Sequence, residues 1–505
     1  MDLRDSIALL LVLAKALMVV LGPVFFLSGI DDLFIDVCYF AKCGYEMLFV
    51  WPRPRRITEG DLRNKVEQPI AVMIPAWDES AVIRLMLENT LRTLDYSNYV
   101  LFVGTYPNDL DTHREVDKVA DRDARVQRIV TQNPGPTNKA DCLNWIYQGI
   151  RLYEKKHDIQ FQIHVMQDCE DVIHPLCYRL FNYVMPAMDM VQLPVLSLER
   201  RWHEFTGGHY LDEFAQWHYK DLVVREMLNK SIPAAGVGCA FSRRAFATVA
   251  GGHKNQVFSI DSLTEDYDFG FRLKEYGLKQ AFVKFKTTRK PSKLLASTRS
   301  AQKSEYELLS IREFFPSTFR AAVKQKSRWV VGIALQGWAH VGWKGSLATK
   351  YMLYRDRKSL ITNLANITGY LLVLVLCSVW LTMSLNPDSY HFPSLLEKGS
   401  LLWYLLLTNF WLLGVRLFQR AFCVYRLYGV QQALLSLPRM VWGNLINFLA
   451  TARAIRLYTR YLKTGKLIAW DKTAHSYPSD EELQEFGPVA GDVLPTAQPL
   501  GAMHE

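Results

Sequence analysis

Paired metal-ligand cysteines, internal repeats and heptad arrays are all missing from this sequence. Its eight cysteines, Cys38, Cys43, Cys142, Cys169, Cys177, Cys239, Cys377 and Cys423, stand in no paired spacing. That argues against a cysteine-built metal site and leaves reduced, cytosol-facing thiols as the expectation. No small-residue cleavage site follows the first apolar run, so that run reads as a retained membrane segment and not as a signal peptide. Charge is also missing over long stretches: residues 7–30 carry only Lys15, and residues 361–385 carry none. A helix of about 20 apolar residues is enough to cross a bilayer. Lys and Arg, by contrast, are in excess, with a formal net charge of +9. They gather beside the apolar runs, which speaks against a nucleic-acid partner and for membrane-flanking charge.

These shifts divide the 505 residues into successive regions. Residues 1–60 form an N-terminal transmembrane helix and a linker, Trp51-Pro52-Arg53-Pro54-Arg55-Arg56, whose charge marks the cytoplasmic side. From 61 to 315, short β-branched runs such as 70–74 and 99–103 alternate with amphipathic helical stretches, an α/β pattern. Residues 316–358 read as interface helices. Residues 359–425 read as a transmembrane hairpin whose short loop, 386–399, has Lys398 as its only Lys or Arg and faces outward. The region 426–478 is interrupted by Pro438 and Arg439 and followed by Arg453, Arg456, Arg460, Lys463 and Lys466, so interfacial or re-entrant helices fit it better than a span. Residues 479–505, acidic and then rich in Pro, Ala and Gly, read as disordered.

The chemistry-bearing residues fall at the ends of the expected strands. The run Ile70-Ala71-Val72-Met73-Ile74-Pro75-Ala76-Trp77-Asp78-Glu79 is a buried strand opening into two carboxylates, and ligands of open α/β sheets sit at such carboxyl ends. A second strand, 101–105, delivers Asn108, Asp109 and Asp111 to the same edge. A third, 163–166, opens into Asp168-Cys169-Glu170-Asp171, and clustered oxygen ligands of this kind suit a hard divalent cation that neutralises a diphosphate. Each could alone be a solvated acidic turn. Thr264-Glu265-Asp266-Tyr267-Asp268 precedes a helical pattern, where carboxylates could equally serve as caps. Gln325-Lys326-Ser327-Arg328-Trp329 leads into the membrane region, where Trp329 could be an interfacial anchor and Arg328 a headgroup contact.

In order and spacing this set resembles the family 2 glycosyltransferases, especially their cellulose-synthase-like processive group, over residues 69–329. The resemblance implies a GT-A fold, a Rossmann-like nucleotide-diphospho-sugar transferase domain, joined to an α-helical transmembrane region. It implies that Ala76, Glu79 and Asp109 hold the nucleotide and that Lys139 lies near the donor. Asp168 with Glu170 or Asp171 would bind Mg2+ or Mn2+ with the diphosphate. One departure is that the usual Asp-x-Asp reads Asp168-Cys169-Glu170-Asp171, which leaves the second ligand open between Glu170 and Asp171. Asp266 would be the general base, and Thr264, Glu265, Gln325, Arg328 and Trp329 would serve acceptor and diphosphate.

Stretches such as Pro134-Gly135-Pro136-Thr137-Asn138-Lys139-Ala140-Asp141 and Trp470-Asp471-Lys472-Thr473-Ala474-His475 further resemble the NfrB-like inner-membrane glycosyltransferases of phage-receptor exopolysaccharide systems. The implied protein is a multi-pass enzyme of the bacterial inner membrane with its catalytic domain in the cytoplasm. It would transfer sugar from a nucleotide donor, by resemblance a UDP-sugar, to a polysaccharide or lipid-linked acceptor among the inner-membrane lipids, with an outer-membrane or periplasmic export partner. Trp470, Thr473 and His475 would belong to a gating loop. Two other readings are a single-transfer glycolipid-forming enzyme and a catalytically inactive membrane scaffold or phage-receptor component.

Overall fold

The computed structural model describes residues 3–50, 57–185, 187–252, 256–288, 306–386, 392–465, 472, 475–479 and 482–483. A long apolar helix, α1 (Leu3–Tyr45), leads in, and a short α2 (Glu59–Asn64) is closed by a capping box between Thr58 and Asp61. Strand and helix then alternate: β1 (Ile70–Pro75), α3 (Ile83–Thr93), β2 (Tyr99–Thr105), α4 (Leu110–Ala120), β3 (Val126–Val130), α5 (Lys139–His157) and β4 (Ile163–Met166). Every residue of β1, β2 and β4 is buried, as continuous apolar runs require when helices cover both faces of a parallel sheet.

The next part of the chain is more broken: β5 (Val172–Ile173), α6 (Cys177–Val184), β6 (Met190–Gln192), β7 (Val195–Ser197), α7 (Phe205–Gln216), α8 (Leu222–Asn229), β8 (Cys239–Ser242), α9 (Arg243–Gly252) and α10 (Glu265–Glu275). Short strands β9 (Gln280–Phe282), β10 (Lys286–Thr288), β11 (Tyr306–Leu308) and β12 (Ile311–Glu313) follow. The main sheet has the order β3-β2-β1-β4-β8-β6-β9. β3, β2, β1 and β4 run parallel, while β8 is antiparallel to both β4 and β6. Parallel neighbours joined by helices make a Rossmann-like half, and its ligand edge lies at the carboxyl ends of β1, β2 and β4. A second sheet, β5-β12-β7, carries the chain from this edge toward the membrane helices.

Helices close the chain: α11 (Phe319–Trp329), a short α12 (Gly337–Val341), α13 (Leu347–Leu385) and α14 (Leu401–Thr464). Among the described residues, three helices are long and apolar enough to cross a membrane, α1, α13 and α14. Their outward faces are apolar, with Val12 65%, Leu374 62% and Phe410 75% exposed, an arrangement that lipid satisfies and water does not. α14 breaks at Gly429, whose φ is +85°, and its second half turns back along the catalytic domain, where Arg439 holds Asp212 of α7 at 2.9 and 2.7 Å. Ion pairs fasten α1 to α13: Asp31 to Arg355 at 2.5 Å and Asp32 to Lys358 at 2.7 Å.

Candidate active site

The turn after β4 sets the centre of the site. Asp171 folds back so that its Oδ2 accepts from the backbone N–H of Asp168 at 2.8 Å. That bond turns Asp168 and Glu170 toward a cavity of about 590 Å3, and both line it. Asp171 stays behind the turn, buried. Lys139, the first residue of α5, reaches Asp168 Oδ1 at 2.6 Å. Burial alone would depress this ammonium, but Asp168, Glu265 and Asp266 around it hold it above its ordinary range.

Asp266 enters from the first turn of α10. Its Oδ1 accepts from the N–H of Tyr267 at 2.8 Å, which leaves Oδ2 facing Gly236. Gly236 has φ +77°, and a Cβ there would stand 2.7 Å from Asp266 Oδ2 and 3.3 Å from Lys139 Nζ. Glycine therefore satisfies the backbone and leaves the carboxylate room. Burial raises the Asp266 carboxyl, with nearby Lys139 working against that rise, and burial also pushes Glu265 up to about 8. Tyr267, the next residue, donates to Asp356 of α13 at 2.6 Å, and Arg225 of α8 grips the same carboxylate at 2.6 and 2.7 Å. The helix carrying Asp266 is thus tied to a membrane helix.

The third wall comes from α11 and the π-helical turn after it. Gln325, Arg328 and Trp329 line the cavity, and Gln325 Oε1 is buried without a hydrogen-bond partner. Trp329 packs edge-on against Tyr210 with ring centroids 5.9 Å apart. Gly332, just beyond, comes so close to Thr264 that a Cβ would lie 2.4 Å from its hydroxyl. Gln336 then holds the loop before α10, accepting from Leu263 N–H at 3.0 Å and donating to Asp261 O at 3.1 Å.

The remaining predicted residues sit at the rim. Ala76 is fully buried at the end of β1. Asp109 caps α4 through Thr112 N–H at 3.3 Å and accepts from Asp78 N–H at 2.5 Å, so its carboxylate is engaged in shaping the edge. Glu79 meets His475 Nδ1 at 2.9 Å and Lys472 at 3.1 Å, and His475 lies 3.2 Å from Glu170. Burial works against a charged imidazole, but Glu170 and Glu79 raise His475 to about 9. Burial pushes Glu170 up to about 7, with His475 opposing. Trp470 and Thr473 of the expected gating loop lie outside the described residues.

The structure thus gathers Lys139, Asp168, Glu170, Thr264, Glu265, Asp266, Gln325, Arg328, Trp329 and His475 around one cavity, while Ala76, Glu79, Asp109 and Asp171 stand beside it. Glu313, at the end of β12, also lines the cavity. It is pushed well up by burial and by Asp171, Glu170 and Asp168 nearby. Sequence reasoning missed it, because a lone acid on a three-residue strand carries no motif. Among the described residues no group of three or more His, Cys, Asp and Glu side chains is placed to hold a metal ion, so a cation here would need oxygens from a ligand besides Asp168 and Glu170.

A family model for Glycosyl transferase family group 2 matches residues 164–385. Bacteriophage adsorption protein B of Escherichia coli (strain K12) and Bacteriophage N4 adsorption protein B of Escherichia coli O157:H7 are each 43% identical to this chain over 99% of its length. The chain spans 66% of the length of each of these relatives. The mannosyltransferase PcManGT from Pyrobaculum calidifontis, solved in complex with GDP-Man and Mn2+, matches with a TM-score of 0.51 at 14% identity, covering 88% of this chain and 99% of its own. That likeness gives the fold as GT-A-like. With the family model falling on β4, the Asp168 turn, α10 and α11, and with identity running the length of the chain, the protein belongs to the family 2 glycosyltransferases.

Proposed function

We propose that this chain transfers a sugar from a nucleotide donor to the hydroxyl of a growing exopolysaccharide, with inversion at the anomeric carbon, and that the product passes across the inner membrane at which it is made. The observation that carries this reading is the convergence of Asp168, Glu170, Asp266 and Gln325 on one cavity that continues between the membrane helices.

Asp168 and Glu170 suit a divalent cation, Mg2+ or Mn2+: both are hard oxygen donors on one wall, and Glu170 Oε2 is buried with no hydrogen bond, facing the His475 imidazole at 3.2 Å. When bound, such a cation supplies charge neutralisation to the donor diphosphate. Asp171 stabilises the turn, and Glu170 is the better second ligand because it faces the cavity. The complex of PcManGT with GDP-Man and Mn2+ is in keeping with this chemistry.

Asp266 Oδ2 takes the proton of the acceptor hydroxyl while that oxygen bonds to the anomeric carbon. The bond from that carbon to the diphosphate oxygen breaks, and the nucleoside diphosphate leaves. A carboxyl raised by burial is a better base than a solvated one, and Lys139 beside it keeps it ionised. Arg328 offers positive charge to the departing diphosphate. A UDP-sugar is the preferred donor, and the catalytic domain lies on the cytoplasmic face. The test is nucleotide release from a donor panel with purified chain and Mg2+ or Mn2+. Release with one donor, lost in Asp266→Asn, is the expected result, and no release from any donor would overturn the reading in favour of an inactive scaffold.

A further inference from the structure

The cavity does not stop at the carboxylates. Its far arm runs between α7, α13 and α14, lined by Asn363, Asn366, Asn444 and Asn447 and by two arginines, Arg416 and Arg420. The arginines stand four residues apart on α14, so they share one face of the helix. Nearby carboxylates already have closer cations. Asp32 takes Lys358 at 2.7 Å and meets Arg416 only at 3.8 Å. Asp212 is held bidentate by Arg439, and Glu213 is paired with Lys326. Arg420 has no ion pair among the described residues and touches the neutral Gln216 Oε1 at 3.3 Å.

Depth narrows the ligand. Residues 401–415 of α14 carry no charge, and the two arginines follow at the end of that run nearest the catalytic domain. In a bilayer this is headgroup level, where cationic side chains meet lipid phosphates. A guanidinium offers a planar fork of N–H donors that matches phosphate oxygens. Asp212 and Glu213 act on Arg420 only through space, and a cation on a membrane helix without a close anionic partner is costly unless an anion or a polar cavity receives it.

We propose that this arm binds the phosphate of an anionic lipid that carries or anchors the acceptor, with Arg420 as the main contact and Arg416 beside it. The amide of Asn366 receives a hydroxyl of the same molecule as it runs toward Asp266, while Asn447 is held in place by Lys326 at 2.8 Å and Glu213 at 3.0 Å. This rests on the reading of the cavity as the acceptor path.

The test uses the full chain in neutral detergent, with native mass spectrometry to follow binding of dioctanoyl phosphatidic acid, dioctanoylglycerol as the uncharged control, and inorganic phosphate as competitor. Saturable binding of the phosphatidic acid alone is expected. Arg420→Gln should weaken it by roughly tenfold to a hundredfold, as loss of a charge-assisted contact does, and Arg420→Lys should recover part of it. Equal binding by wild type and Arg420→Gln, in samples with matched thermal unfolding, overturns the proposal. Inorganic phosphate binding as tightly as the lipid overturns it too, because the ligand would then be a soluble phosphate. Magnesium-dependent UDP binding in the same samples reports on the donor site separately, so a failed lipid arm with intact UDP binding sinks this inference and leaves the catalytic reading standing.

Discussion

The two ends of the cavity are built from opposite materials. At the sheet end, Asp168, Glu170, Glu265, Asp266 and Glu313 crowd together around Lys139, with His475 against Glu170 at the rim; at the membrane end, amides and guanidinium groups stand beside Glu213, which Lys326 pairs. The carboxylate end is electrostatically unfinished: Glu170, Glu265, Asp266 and Glu313 are all raised by burial first of all, so it awaits added positive charge. The amides of the membrane end cost less to leave empty than charges do, whereas its arginines call for an anion. Electrostatic preorganisation for a leaving diphosphate belongs at the first end, and recognition of a hydroxyl-rich acceptor at the second.

The sharpest way to break this division is Asp266→Asn. It keeps shape and removes the base, so transfer should fall by about 100- to 10,000-fold while donor binding, followed by calorimetry with UDP, stays near wild type. Substantial residual turnover would move the base elsewhere, Glu265 being the neighbour to try next. The acid end also contains a contrast of its own. Glu170→Gln should weaken magnesium-dependent UDP binding by at least about tenfold, the order of a lost metal ligand or its partner, and chelator should abolish the difference between variant and wild type. Asp171→Asn should instead show itself in thermal unfolding, since its carboxylate holds the Asp168 backbone. If the two variants exchange these behaviours, the assignment of the second ligand is reversed.

Between the two ends lies the tie from Tyr267 to Asp356. Tyr267→Phe removes a hydrogen bond to a buried carboxylate that Arg225 still satisfies, so a stability loss of about 1–3 kcal/mol is expected from denaturant unfolding. Turnover should drop with acceptor KM nearly constant, because the variant loosens the helix that bears the base and leaves the amide arm alone. Unchanged turnover in a destabilised variant would make the tie purely structural.

How much of this was legible in the sequence follows the same division. The acid end was readable because burial writes a strong pattern: β1 and β2 appear as unbroken apolar runs, and the acids stand immediately after them. The Thr264-Glu265-Asp266 run was visible for the same reason, as carboxylates crowded at a helix start. Glu313 was not, since only the second sheet brings β12 to the Asp168 turn. Nor was the Tyr267-Asp356-Arg225 tie, whose members come from three helices far apart in the chain. Pro438 suggested an interruption, yet the helix runs through it, and the Arg439 side chain beyond it donates to Gln432 O at 2.8 Å and to Asp212. The break falls at Gly429, where the backbone needs a positive φ. Asp109 carried a nucleotide-binding expectation from resemblance, and its carboxylate is occupied by two backbone N–H groups.

The smallest expected effect is at Asn366, and it sharpens the comparison most finely. Its side chain lines the amide arm from within the apolar run of α13, half-buried, and it makes no side-chain hydrogen bond among the described residues. Asn444, on the facing wall, is different: its amide donates to Tyr370 at 2.6 Å, so it has structural employment. An amide without a protein partner in a largely apolar helix is costly unless water or a ligand answers it. Asn366→Leu should therefore leave folding unchanged or slightly improved while raising acceptor KM by about two- to tenfold, the range of one neutral hydrogen bond. Asn444→Leu should do the reverse, lowering thermal stability first. Acceptor KM is read from initial rates of nucleotide release at saturating donor. An unchanged KM in Asn366→Leu would mean that the arm is passive space, and the recognition of acceptor would then have to lie with Trp329 and Gln325 at the carboxylate end.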